Sequence, residues 1–201
     1  MIYKEYKCGE EIIHIPKPES YKDCVKLAQS DCYRYTGKVL SPLRIILSRN
    51  YILRFSFWLR MSSYNGFAHP ICNFLRKRMG DRTGLQISYK TPIGYGFYIG
   101  HGFGVIINPT AVIGNNCNIS QFTTIGSNRG KAAIIGNNVY IGPSVCIVEN
   151  IYIGSDVTIG AGAVVTKDIP SNTTIAGVPA KIISKQGHKE FIINKWQKSH
   201  K

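Results

Sequence analysis

Residues 93–126 read IGYGFYIGHGFGVIINPTAVIGNNCNISQFTTIG, and the spacing of their aliphatic residues decides the fold. An isoleucine or valine recurs every six residues, usually followed by glycine, and the pattern continues through Ile135, Ile141, Ile153 and Ile159 to Val165. A six-residue period with an aliphatic at its first place predicts a parallel β-helix. Three short strands make one coil, and stacked coils bring their aliphatics into one continuous core. The neighbouring glycines suit tight corners. Such a rod stands without any titratable side chain, so His101, lodged inside the repeat, is a candidate for chemistry.

With hexads starting at Ile93, Ile99, Val105, Ile113, Ile119, Ile125 and Ile135, the spacing breaks after Val105 and again after Ile125. This register puts both insertions at the corner between the third and first faces, one coil apart. His101 lies just before the first insertion, and Ser127-Asn128-Arg129-Gly130-Lys131 forms the second. After each first-face strand come Gly94-Tyr95-Gly96, Gly114-Asn115-Asn116, Gly136-Asn137-Asn138 and Gly154-Ser155-Asp156. Glycine, asparagine and aspartate tolerate left-handed backbone, which predicts a ladder of stacked corners.

A chain of 201 residues fits one main domain with an appendage. The expected divisions are an N-terminal helical region over 1–83, the β-helix over 84–185 and a basic C-terminal tail over 186–201. Two helices are predicted at 42–62 and 68–80, broken at Asn65-Gly66. The N-terminus is polar, and no apolar run could span a bilayer, so neither a secretory signal nor a membrane span is expected. Six cysteines lack any C-x-x-C spacing, which fits core-filling thiols in a reducing cytoplasm.

The net charge of +14 is concentrated between Cys32 and Gly80, a stretch that holds no acidic residue. The same stretch carries large apolar groups from Leu43 to Leu59. It reads as a cap packed on the rod or on a neighbouring subunit, or as a surface for an anionic membrane or an acidic glycan. The location expected from that is cytoplasmic, peripheral at the inner face of the membrane. Nucleic acid is disfavoured, because no recognised binding module accompanies the charge. A zinc enzyme needs about three histidine ligands, and His101 is alone in the rod, so no metal is expected; His14, His69, His188 and His200 lie outside any motif.

The block Phe97–Asn116, FYIGHGFGVIINPTAVIGNN, resembles the segment around the catalytic histidine of serine acetyltransferases. The runs Ile159-Gly160-Ala161-Gly162-Ala163-Val164-Val165 and Ile175-Ala176-Gly177-Val178-Pro179-Ala180-Lys181 are similar to the closing signature of the hexapeptide-repeat acyltransferase superfamily. This resemblance covers residues 84–185. It implies a mainly β chain, with a left-handed parallel β-helix behind an N-terminal α-helical segment. It also implies a homotrimer with acetyl-CoA in a groove between subunits. By the same resemblance His101 is the general base, and Gln86, Gly100 and Arg129 bind or orient the acceptor. Ser127, Asn128, Gly130 and Lys131 lie along the pantetheine arm, Ala161 offers backbone contacts and Lys181 meets the nucleotide phosphates.

The departures from that family narrow the acceptor. Gly100 stands where serine acetyltransferases carry an aspartate that holds serine, and Gln86 where a second aspartate orients the histidine. Lys131-Ala132-Ala133-Ile134 replaces an Arg-His pair that grips the carboxylate. The pattern resembles the capsular and exopolysaccharide O-acetyltransferases. The expected function is therefore acetyl transfer from acetyl-CoA to a hydroxyl of a sugar or polysaccharide precursor. One alternative is serine O-acetylation in cysteine biosynthesis, with serine recognition rebuilt from Asp31, Arg34 or Arg129. The other is a non-catalytic scaffold. A sugar nucleotidyltransferase is excluded, because the N-terminal region is too short for a nucleotide-binding domain.

Overall fold

A computed structural model describes residues 1–197. Residues 198–201, with His200 and the end of the expected tail, lie outside the described part. From Gln86 onward the chain winds as a parallel β-helix. Its first face stacks Ile93, Ile113, Ile135, Ile153 and Ile169. The second stacks Ile99, Ile119, Ile141, Ile159 and Ile175. The third stacks Ile87, Ile107, Ile125, Ile147 and Val165. All are buried in one continuous core. β-Branched side chains suit these short strands, and burying each contributes about 1.5–3 kcal/mol of transfer free energy.

The register differs from the expected one at a single rung. Ile107, not Val105, is the third-face residue, since it pairs with Ile87 below and Ile125 above. The first insertion therefore lies between Ile99 and Ile107, eight positions apart, at the corner between the second and third faces. The second separates Ile125 from Ile135 by ten positions, at the corner between the third and first faces. The two insertions thus flank opposite edges of the third face. Val105 is equally buried, so hydrophobicity alone could not distinguish the two registers.

The N-terminal region is not helical throughout. It opens with an antiparallel hairpin, β1 (Ile2–Cys8) and β2 (Glu11–Lys17), turning at Gly9 with φ 63°. Four helices follow: α1 (Tyr21–Thr36), α2 (Pro42–Ile46), α3 (Tyr51–Met61) and α4 (His69–Thr83). The single helix expected over 42–62 is interrupted because the Asn50 side chain accepts from Ile52 N and Leu53 N and starts α3 afresh. Ile52, Leu53, Phe55, Phe57 and Leu59 are buried within the chain itself. Within the protomer this segment therefore packs as a cap, while Leu43 and Leu47 stay exposed.

The two chain ends cover two faces of the β-helix. The hairpin lies on the first face, where Cys8, Ile13 and Ile15 pack on Val112, Ile134 and Tyr152. Its Glu11 carboxylate accepts from Ser155 N at 2.6 Å and Ser171 Oγ at 3.0 Å. Residues 186–196 run down the second face as a docked strap. Thr174 Oγ1 donates to Gln186 O, His188 N to Thr158 Oγ1, Asn118 Nδ2 to Phe191 O and Trp196 N to Asn116 Oδ1. The third face, with Gln86, Ile106, Thr124, Cys146 and Val164 pointing outward, has neither cover.

Candidate active site

His101 sits at the inserted corner between the second and third faces, with φ 51° and an exposed ring. Among the described residues no hydrogen bond to that ring is formed. His101 lies in the insertion three residues before Gly104, and Gly104 at 62° begins a stacked series of left-handed residues along this edge, followed by Phe122 at 59°, Ser144 at 58° and Gly162 at 69°. Backbone bonds join them, from Phe122 N to Phe103 O, Ser144 N to Gln121 O and Gly162 N to Pro143 O, each 2.9 Å.

The strand leading into His101 is held from below by α1. Asp31 accepts from Phe97 N at 2.8 Å and from Ser56 Oγ at 2.7 Å, and it forms a two-pronged ion pair with Arg60. Arg60 reaches on to the carbonyls of Ile93 and Gly94. Arg34 donates to Gly96 O, Asn118 Oδ1 and Ile193 O, and burial pulls its guanidinium below its ordinary pKa. Tyr35 Oη donates to Ile99 O and accepts from Ile99 N, two residues before the histidine; burial pushes this phenol well up. Gly96, with φ 65°, lies on the edge between the first and second faces, where a Cβ would run into Asn116 Oδ1.

A cavity of about 360 Å³ opens beside His101, walled by Arg34, Tyr98, Ser120 and Tyr140, with Phe191 and Ile193 from the strap. Gly100 lines it too and donates to Ile119 O at 2.7 Å. A Cβ at Gly100 would meet nothing closer than 3.5 Å, so an acidic side chain was not excluded there by space. The remaining site candidates divide between the edges of the third face. Ala161 stands on the edge of His101, three strand spacings or about 14 Å along. Lys181 is exposed opposite Ala176 in the closing antiparallel pair.

Ser127, Asn128, Arg129, Gly130 and Lys131 form the opposite edge. Ser127 Oγ donates to Glu149 Oε2 at 3.0 Å, and Gly130 O accepts from Thr110 Oγ1. Gln86 joins that edge, sharing a cavity of about 610 Å³ with Ser127, Asn128 and Ile106 rather than the His101 cavity. Asp31 and Arg34 are wholly buried with their bonds directed at the protein, which disqualifies them as serine ligands within this protomer. No group of three metal-ligating side chains occurs among the described residues. Five cysteines are buried, with Cys8 and Cys117 pushed up to about 12 by burial; Cys146 is half-buried on the third face.

Residues 132–167 match the family model described as "Bacterial transferase hexapeptide (six repeats)". The serine acetyltransferase of Synechococcus elongatus is 38% identical over 109 residues, covering 52% of this chain and 45% of the relative. That of Staphylococcus epidermidis is 40% identical over 111 residues, covering 53% and 52%. The crystal structure of Neisseria gonorrhoeae serine acetyltransferase in complex with serine aligns with TM-score 0.66 and 30% identity, over 82% of this chain and 69% of that one. The chain belongs to the hexapeptide-repeat transferase family. A further member, the Brucella abortus serine acetyltransferase in complex with coenzyme A, aligns with TM-score 0.66 and 25% identity, over 83% and 69%. The chain spans about half the length of the curated relatives it matches.

Within this hexapeptide-repeat transferase, sequence reasoning missed Arg60, Tyr35, Asn118 and the strap residues Phe191 and Ile193. Only one signal was readable in advance. Asp31, Arg34 and Tyr35 sit within five residues of an otherwise amphipathic helix, a density of polar groups that a plain cap does not need.

Proposed function

We propose that this hexapeptide-repeat transferase is an acetyl-CoA-dependent O-acetyltransferase with His101 as general base. The observation that carries this reading is an exposed imidazole with no hydrogen-bond partner among the described residues, at the mouth of a cavity and on the edge that leads to Ala161. A hydroxyl is a poor nucleophile near neutral pH. Neutral imidazole takes its proton as the oxygen attacks the thioester carbonyl. The tetrahedral intermediate then collapses, the C–S bond breaks, and the imidazolium returns the proton to the departing thiolate. The buried Asp31–Arg60 pair, Arg34 and Tyr35 act as positioning residues, fixing Gly96–Ile99 and hence the corner.

The cofactor and the assembly belong to the same reading. Among the described residues only the third of the three faces lacks cover, and Phe103, Ile106, Phe122 and Val178 are exposed on or beside it. Apolar surface of this extent supports association. Packing of third faces in a trimer would set the Ser127–Lys131 edge of one protomer against the His101 edge of the next, with acetyl-CoA between them.

For the acceptor, the site favours a neutral hydroxyl compound such as a sugar unit of a glycan. Free serine would bring two charges, yet Gly100 and Gln86 offer no carboxylate, Ala132 and Ala133 are buried small residues, and Glu190, the acid on the cavity wall, is engaged with His188. Unpaired buried charge is costly, which selects against an amino acid. The second reading, serine O-acetylation, is favoured by the names of the relatives and by the serine complex of the Neisseria protein. CoA release with serine against a panel of oligosaccharides, using H101A as blank, separates the two. Saturable turnover of serine would overturn the glycan reading, while no turnover with any hydroxyl acceptor would overturn the transferase itself.

A further inference from the structure

The outward face of α4 is inverted for a helix on a globular protein. Phe67, just before the helix, is 93% exposed, and Ile71 and Phe74 are 66% and 61% exposed. These positions are spaced four and three apart, so they form one stripe on the outer side, while Cys72 and Gly80 face inward. The stripe continues into Lys77, Arg78 and Arg82, all exposed and without an ion-pair partner among the described residues; Asp81 is the one acid beside them. Arg76 points the other way, donating to Ile87 O and Asn73 Oδ1. An outward helix face is thus apolar over its first two turns and cationic over its last two.

We infer that this face of α4 docks on an anionic lipid surface, with Phe67, Ile71 and Phe74 entering the headgroup layer and Lys77, Arg78 and Arg82 meeting lipid phosphates. Large apolar groups flanked by cations on one helix side match the interface of a charged bilayer. Charge argues for lipid over a second copy of the chain, because each copy carries +14 and no acid lies between Cys32 and Gly80 to answer it. Area argues the same way. Three side chains present a few hundred Å², below the roughly 800 Å² per partner of a stable protein complex. No helix of the described residues is long and apolar enough to cross a membrane, so contact would be peripheral. The inference is independent of the transferase reading.

The test is sedimentation of the full chain with vesicles of phosphatidylcholine alone and with about a third phosphatidylglycerol. Wild type is expected to pellet with the anionic vesicles only, and less so as salt rises. The variant F67S/I71S/F74S keeps every charge and should lose about tenfold or more in partitioning. The variant K77E/R78E/R82E should lose the preference for anionic lipid. These side chains are exposed, so circular dichroism and the oligomeric mass should match wild type. Three results would overturn the inference: no binding by wild type, undiminished binding by the serine variant, which would mean charge acting without the face, or a smaller assembly for that variant, which would make α4 a contact between copies.

Discussion

The β-helix repeats one backbone turn along two of its edges and uses it in opposite ways. On the edge between the first and second faces, Asn116, Asn138, Asp156 and Asn172 hold φ between 55° and 59°. Beside them Tyr95 N donates to Asn115 Oδ1, Asn115 N to Asn137 Oδ1, Asn137 N to Ser155 Oγ and Ser155 N to Glu11. Each corner satisfies the one beneath it. On the edge between the second and third faces the same φ is taken in register by Gly104, Phe122, Ser144 and Gly162, and by His101 in the insertion beside them. Their side chains form no such ladder, and His101 and Phe122 are exposed. Left-handed backbone is tolerated by asparagine but costs other residues about 1–3 kcal/mol. The first edge is organised for folding. The second holds Phe122, Ser144 and His101 in that backbone without such compensation, and under the proposed function it is the working edge.

The comparison breaks most sharply at His101. Replacing it with asparagine makes the working edge resemble the folding edge. Acetyl transfer is then expected to fall by about 10²–10⁴-fold, with the thermal midpoint unchanged or raised. Steady-state CoA release and a melting curve on the same sample check both halves. Retained activity would move the base elsewhere, and a lower midpoint would make the histidine part of the framework.

The support beneath that edge comes next in size. D31A leaves Arg60 buried without its counter-charge, and breaking such a pair costs about 3–5 kcal/mol. Urea unfolding should register that loss. The milder D31N, which keeps the Phe97 N contact, should retain more stability yet lower kcat through a displaced corner. Equal kcat in folded D31N and wild type would limit Asp31 to stability. On the folding edge, N137A removes the acceptor of Asn115 N and its side-chain amide. It should cost about 1–3 kcal/mol and leave kcat intact.

Legibility in the sequence followed the same division. The period of six needs only local pattern, so the β-helix, its core and the asparagine corners could all be read in advance. The position of the first insertion could not, because Val105 and Ile107 are both aliphatic and both buried; only the pairing of Ile107 with Ile87 and Ile125 decides. The covers of the two faces were hidden for another reason. Glu11 meets Ser155, 144 residues away, and Arg34 meets Ile193, 159 residues away, through polar contacts that carry no periodicity. His101 stood out because the repeat does not require it. Asp31 and Arg34 stood out too, but as substrate contacts; their burial makes them supports of the corner instead.

The smallest expected effect is also the one that asks what the working edge is kept free for. Phe122 is 60% exposed at φ 59°, and its ring covers the backbone of Gly104 one coil below. If the edge were only a turn, asparagine would serve better there, since it accepts left-handed backbone and needs no cover for a ring. F122N is therefore expected to raise the stability of the isolated protomer by about 0.5–1 kcal/mol. The same ring lies on the rim of the uncovered third face, so its loss should weaken the association of protomers. Urea midpoints measured at low and high protein concentration resolve the two terms, with the variant ahead in dilute solution and wild type regaining ground as concentration rises. Sedimentation should report the weaker assembly directly. A variant that is less stable at every concentration, with its association unchanged, would mean that Phe122 belongs to the protomer's own packing. The contrast between a folding edge and a working edge would then hold at His101 alone.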